Sequence, residues 1–337
     1  MKCRDEMNAV HGPGDDRGCP GAQGDVPPRR RTPLWKRALP FATAGAIITY
    51  LFVHIDMHRF LAALLGADIS LYLPWLVAFI VITFLLDTQN LALVLKEFRH
   101  PIAFRSALGI RGGTYLLMTI DHTLGLGALA YYLKHELAIP VMRSTGVMLF
   151  FNTITQLTLT IMATIGLILV PPSSLPLRYF FILCIGFLGS VLIFVAAMKK
   201  LPSRGCGSRI RDLNLLKVFH EASWRSYCSL ILWRGVYYLV FIGFFYIALR
   251  AFHMHVPLSI LTAYVPIILM VVSMPITPCG LGTAQAAMLY LFGDYGPSGT
   301  IMAFGLTYST SILLLRSVIG LIFVNSIAGF VPGKAVR

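Results

Sequence analysis

Residues 177–198 read Leu-Arg-Tyr-Phe-Phe-Ile-Leu-Cys-Ile-Gly-Phe-Leu-Gly-Ser-Val-Leu-Ile-Phe-Val-Ala-Ala-Met, a run whose single charge, Arg178, stands at its edge. A helix of that length rises roughly 33 Å, about the thickness of a bilayer's hydrocarbon core, so the run reads as a spanning helix. Comparable runs occupy 39–56, 71–86, 144–170, 227–252, 257–276 and 300–330. Most reach the roughly 20 residues a span needs, and 71–86 is at the short limit.

Composition agrees. The chain is 57% hydrophobic and 12% charged, with a mean hydropathy of +0.75; soluble domains carry about 25% charged residues. The expected fold is therefore all-α, a polytopic membrane helix bundle. The first run starts near residue 39 behind a basic tail. A secretory signal has a short leading segment and a 7–15 residue apolar core, so this run reads as an uncleaved first span. Residues 1–33, rich in Gly, Pro and charge without periodicity, read as a disordered cytoplasmic tail, or as sequence upstream of the true translation start. Residues 34–332 form the membrane domain.

The cysteines at 3, 19, 184, 206, 228 and 279 have neither metal-ligand nor redox spacing, and no disulfide framework is expected. The net charge of +14 lies in short segments between spans. That is the pattern of the positive-inside rule rather than of nucleic-acid binding. The tail with Arg29, Arg30, Arg31, Lys36 and Arg37, the segment 88–112 with Lys96, Arg99, Arg105 and Arg111, and the segment 199–226 with Lys199, Lys200, Arg204, Arg209, Arg211, Lys217 and Arg225 are expected in the cytoplasm. The opposite loops carry Arg59, Arg178 and Arg250.

Counting crossings between these fixed points leaves two stretches that must start and finish on one face. Residues 113–143 form a weak apolar stretch broken by Asp121, His122, Gly125 and Gly127. Residues 257–295 are broken at 274–282, provided 300–330 is one tilted span; two shorter helices split near Arg316 would change that count. Two broken, re-entrant segments entering from opposite faces are the pattern of an inverted repeat with a midplane site. Non-helical backbone at that depth is tolerated only against protein or a water-filled cavity.

The most specific stretch is Met274-Pro275-Ile276-Thr277-Pro278-Cys279-Gly280-Leu281-Gly282-Thr283-Ala284-Gln285-Ala286-Ala287. Pro275 and Pro278 cannot continue a helix, Gly280 and Gly282 permit positive φ and close approach, and Thr283 is the expected N-cap of the helix that follows. The product is a half-helix whose N-terminal N–H groups and dipole attract an anion such as phosphate.

This stretch resembles the lysylphosphatidylglycerol synthase/flippase transmembrane region family, also called the UPF0104 integral membrane family. Pro275, Pro278, Gly280, Leu281, Gly282 and Ala286 match its motif, while Cys279 stands for a glycine and Gln285 for a commonly acidic position. Arg316 resembles a family arginine near the last helix, and 121–134 matches the first-half break poorly. The resemblance covers roughly residues 35–330. It implies a flippase-like domain for anionic or polyprenyl-linked lipids. The chain lacks an aminoacyl-transfer domain, which implies that it does not itself make lysyl-lipid, and Gln285 puts a proton-linked step at that position in doubt.

Arg234 and Arg316 interrupt apolar runs. A charge at the bilayer centre costs about 3 kcal/mol on insertion scales, so both should face the bundle interior. Each is either a structural partner of a carbonyl or of Asp121, or a contact to lipid phosphate, which suits the guanidinium fork. Asp121 and His122 are adjacent, about 100° apart on a helix, which precludes a simple dyad. They are read either as hydrogen-bonding groups within the break or as a proton-linked pair. His54 and His58 share a helical face, but without a third ligand they read as interfacial rather than metal-binding. Ile210, Leu213, Leu216, Phe219 and Ala222, with Arg211, Lys217 and Glu221 between, read as an amphipathic helix on the inner leaflet or packed beneath the bundle.

No nucleotide loop, catalytic triad or metal motif is present; no cofactor or metal is expected, and nothing positive marks an enzyme. The expected substrate-binding residues are Pro275, Pro278, Gly280, Gly282, Thr283, Gln285, Arg234, Arg316, Asp121 and His122. The leading function is translocation or traffic of an anionic or isoprenoid-linked lipid in a multi-pass cell-membrane protein with both termini cytoplasmic. The competing readings are a non-transporting accessory to a lipid-modifying enzyme and a membrane-embedded part of a glycosyl- or aminoacyl-transfer system.

Overall fold

The computed structural model describes residues 57–98, 100–120, 125, 127, 129, 141–171, 174–200, 217–274, 277 and 280–323. Among these residues the chain forms ten α-helices and no strand: α1 (Met57–Leu65), α2 (Ile69–Glu97), α3 (Phe104–Ile120), α4 (Val141–Leu169), α5 (Leu175–Lys200), α6 (Lys217–Glu221), α7 (Trp224–Ala251), α8 (Leu258–Ser273), α9 (Thr283–Phe292) and α10 (Ser298–Ile322). Five of them, α2, α4, α5, α7 and α10, are long and apolar enough to cross a membrane. The run at 39–56, His54, the tail, the segment 210–216 and the C-terminus lie outside the described residues.

Each long helix begins or ends where the chemistry changes. Asp68 caps α2, its carboxylate accepting the Leu71 N–H at 3.1 Å. Ser223 caps α7 by accepting the Ser226 N–H at 3.1 Å. α10 runs unbroken through Arg316, so 300–330 does not split there.

Loop and side-chain contacts sort the helix ends into two groups. At one end, Glu97 accepts the Ser223 N–H, Lys199 donates to the Ala222 carbonyl, His220 meets the Met198 carbonyl and Arg143 pairs with Glu221. At the other, Asp68 N–H donates to Ala251 O, His253 meets Gly66 O and Ser174 meets Tyr290. The first end carries Lys96, Arg143, Lys199, Lys217 and Arg225; the second carries Arg178 and Arg250. Glu97 and Arg143 thus lie at the same basic end, as the two ends of the chain between α2 and α4.

The core is a stack of aromatic rings where α2, α7 and α10 meet. Phe79 stacks on Phe244 at 4.3 Å and meets Phe241 edge-on at 4.8 Å; Tyr308 lies against Phe245 at 4.8 Å. On the far side, α8 packs on α4 so closely that a Cβ on Gly166 would come 2.5 Å from the Ala263 Cα. The outward surfaces are apolar, as lipid-facing surfaces must be: on α5, Leu183 is 69% and Ile193 71% exposed.

The segment 88–112 differs from its sequence reading as a cytoplasmic loop. α2 continues past Leu86 to Glu97, burying Thr88, Asn90, Leu91, Val94 and Leu95, and Arg111 is inside the bundle at 6% exposure. The reason is a mutual one. Asp87, the charge that seemed to end the span, is neutralised by Arg111, the charge that seemed to mark the loop.

Candidate functional site

Helical rise alone sets the depth of the site. Asp87 lies ten residues before the end of α2 and Arg234 ten after the start of α7, each about 15 Å from the basic end; Arg111 is about 10 Å in along α3, and Arg316 about 9 Å from the end of α10. Four helices therefore bring four charges to similar depths of one apolar bundle.

Asp87 is the hub. Arg234 Nη1 donates to its Oδ1 at 2.6 Å, and Arg111 Nε donates to its Oδ2 at 2.6 Å. The Tyr115 hydroxyl donates to the same Oδ2 at 3.0 Å. The carboxylate is 2% exposed and Arg234 7%. An isolated buried charge is costly, and this arrangement meets the two conditions that offset the cost, close pairing and further hydrogen bonds. Aromatic faces cover the rest: the Arg234 guanidinium stands 4.5 Å from the Tyr237 ring centre and 5.1 Å from Phe151. One buried atom is left over, because Arg234 Nε has no hydrogen-bond partner.

Arg316 lies alongside. Its guanidinium is 5.5 Å from the centre of the Tyr115 ring, the ring whose hydroxyl bonds to Asp87. Among the described residues no carboxylate comes within ion-pair distance of it. It is only partly buried. Among the described residues the cluster accordingly holds three guanidinium groups against one carboxylate.

The second component is the turn between α8 and α9. Gly280 and Gly282 have φ of 72° and 87°, the left-handed region that the sequence reading anticipated for glycines here. Thr283 is not the N-cap; Gly282 is. Helical φ/ψ begins at Thr283, so its hydroxyl turns back to donate to Gly280 O at 3.1 Å and to meet Thr277 Oγ1 at 3.1 Å. The capping role falls to Gln285, whose Oε1 accepts the Gly282 N–H at 2.7 Å. Its Nε2 reaches α10, donating to Gly305 O at 3.2 Å and Ser309 Oγ at 3.0 Å. The buried Gln285 amide thus spends its hydrogen-bonding capacity on fixing the turn to α10.

Ser309 and Arg316 stand seven residues apart on α10, close to two full turns, so they share a face about 10 Å apart along the axis. That face links the Gly280–Gln285 turn to the arginine cluster. Of the residues expected from sequence, Arg234 and Arg316 belong to the cluster and Gly280, Gly282, Thr283 and Gln285 to the turn. Pro275, Pro278, Asp121 and His122 lie outside the described residues. Arg234 pairs with Asp87 rather than with Asp121. Asp87, Arg111 and Tyr115 were missed. The available signal was Asp87 itself, the first acid in an apolar run from residue 69, which in a membrane needs a basic partner.

A family model described as Lysylphosphatidylglycerol synthase TM region matches residues 37–320. No curated protein matches the chain.

Proposed function

The chain belongs to the lysylphosphatidylglycerol synthase TM region family, and from that premise we propose that it translocates an anionic or isoprenoid-linked lipid across its membrane, holding the headgroup at the arginine cluster. The observation that carries this reading is the excess of guanidinium over carboxylate, among the described residues, inside an apolar bundle. Charge at such depth is expensive and marks substrate paths in membrane proteins, and guanidinium is the group best matched to phosphate oxygens.

In this reading the basic end and both termini face the cytoplasm, as the surplus of Lys and Arg there requires. α3 enters from the cytoplasmic face and α8 with α9 from the opposite face, which fits the sequence reading of 113–143 and 257–295 as the two broken segments of an inverted repeat. The N-terminus of α9 is the end of that helix nearest the cluster, so its positive dipole end adds to the attraction. The phenolic hydroxyl of Tyr237 supplies a neutral donor, that of Tyr115 being taken by Asp87, and the acyl or prenyl chains stay in the lipid that wets the outer helix faces.

The test is leaflet-resolved lipid analysis of cells with and without the protein. One anionic or prenyl-linked lipid should accumulate in the cytoplasmic leaflet when the protein is missing; an unchanged distribution of every such lipid would refute the proposal.

A further inference from the structure

The charge balance of the cluster specifies more than an anion. Arg111, Arg234 and Arg316 face a single carboxylate, Asp87. Among the described residues the other ionisable groups that surround them are the phenols Tyr115, Tyr237, Tyr238 and Tyr308, ordinarily neutral below pH 10. Two positive charges are therefore uncompensated among the described residues. A bound group with one negative charge would leave a net charge in an apolar interior, whereas one with two would cancel it.

The hydrogen-bonding state agrees. Asp87 engages Arg111 through Nε and Nη2 and Arg234 through Nη1, but Arg234 Nε is buried without a partner. Arg316 has no carboxylate partner among the described residues and is the least buried member of the cluster. Two separate guanidinium groups thus keep donors that no carboxylate among the described residues takes up, which suits a group with several acceptor oxygens on one centre.

We infer that the cluster selects a terminal, doubly charged phosphate, that of a phosphate monoester or diphosphate lipid, over the singly charged phosphodiester of ordinary phospholipids. The inference rests on the lipid-handling reading above and narrows its substrate class. Inorganic phosphate shares the chemistry and is distinguished by experiment. Because guanidinium does not titrate and the second ionisation of a phosphate monoester falls near pH 6, the preference must depend on the ligand's own charge.

The experiment is a binding titration on the full chain in detergent micelles, with dioctanoyl phosphatidic acid, dioctanoyl phosphatidylglycerol and inorganic phosphate as probes, at pH 8 and pH 5. Phosphatidic acid should bind at least tenfold tighter than phosphatidylglycerol at pH 8, with most of that advantage gone at pH 5. Arg316→Gln should remove the preference, and Arg316→Lys, which keeps the charge, should retain part of it. Removing Arg316 orphans no carboxylate among the described residues, so the variant should fold; its unfolding temperature is read beside each titration. Equal affinities for the two lipids at pH 8, or a preference unaffected by Arg316→Gln, would overturn the inference while leaving the broader lipid-handling reading standing. Inorganic phosphate binding as tightly as phosphatidic acid would overturn it in favour of a free-anion site. A folded protein that binds neither lipid would overturn both.

Discussion

Arg234 on α7 and Asp87 on α2 are 147 residues apart in sequence and 2.6 Å apart in the bundle, each less than a tenth exposed. Their bond also sets the position of α3, because the second oxygen of the same carboxylate receives Arg111. Three helices are joined at one residue, and the junction has separable structural and functional roles.

Asp87→Ala leaves two buried guanidinium groups without a counter-charge. Breaking a buried pair from one side costs about 3–5 kcal/mol, whereas replacing all its members with apolar residues is often neutral or stabilising. Thermal unfolding in detergent should show a large loss of stability for Asp87→Ala and near-native stability for the triple variant Asp87→Leu/Arg111→Leu/Arg234→Leu. Lipid handling should be absent from both. A triple variant that is stable and active would make the cluster dispensable.

Gly282 has φ of 87°, a conformation that costs a non-glycine residue roughly 1–2 kcal/mol. Gly282→Leu should abolish lipid handling, checked in a complementation assay, while membrane abundance on a blot stays close to normal because the flanking helices are untouched. Gly280→Ala should destabilise the fold, since it adds to a positive φ of 72° a Cβ that would meet Val272 Cγ1 at 2.8 Å. Full activity of Gly282→Leu would reduce the turn to a connector.

The bundle and the turn were legible in the sequence because both are written locally. Apolar runs of spanning length need no knowledge of neighbours, and Pro275-x-x-Pro278 followed by Gly280 and Gly282 announces a break wherever it is placed. The charge cluster was half legible. Arg234 and Arg316 stood out as bases inside apolar runs, but Asp87 and Arg111 sat at the edges of a run and read as its boundary. Their burial depends on a pairing that only the tertiary fold creates. Thr283 failed as an N-cap for a related reason. The helix begins at Thr283 itself, after a left-handed Gly282, and the cap is supplied from within the helix by Gln285.

Gln285→Leu tests that substitute cap. It leaves the Gly282 N–H buried and unpaired and removes the tie to Gly305 and Ser309. An unsatisfied buried polar group costs about 1–3 kcal/mol. Amide exchange in α9 should rise accordingly, with α2 and α7 unchanged; unaltered protection in α9 would contradict the role assigned to Gln285.

Gly166→Ala should be disproportionately harmful for a single methyl group. Its Cβ would meet the Ala263 Cα and the Thr262 O at 2.5 Å, and backbone cannot rotate aside as a side chain can. Overpacking of this kind costs about 1–3 kcal/mol. Gly186→Ala, where no atom lies within 4 Å of the added Cβ, serves as the neutral control in the same unfolding measurement.

Asp68 makes the start of α2 sensitive to acid. The Ser70 hydroxyl, at 2.6 Å, and then the Leu71 N–H hold its carboxyl below the ordinary carboxylate value. A depressed folded value means that the cap contributes fully above the unfolded carboxylate pKa of about 3.9 and is lost as pH falls through the folded one. Protection of the first turn of α2 should therefore be constant from pH 7 to 5 and decline below pH 4. The same decline in Asp68→Asn would rule out this carboxyl as its cause.

The claim that the arginine cluster carries a lipid headgroup is tested most directly by translocation in proteoliposomes. Purified protein is reconstituted, and the transfer of a fluorescent-tailed phosphatidic acid between leaflets is timed for the wild type and for Arg316→Gln, with a zwitterionic lipid of the same tail as reference. The expected result is protein-dependent movement of the anionic lipid, at least tenfold slower in Arg316→Gln at matched protein content and stability, with the zwitterionic lipid unaffected by either protein. Equal rates for wild type and Arg316→Gln, or equal movement of both lipids, would contradict it.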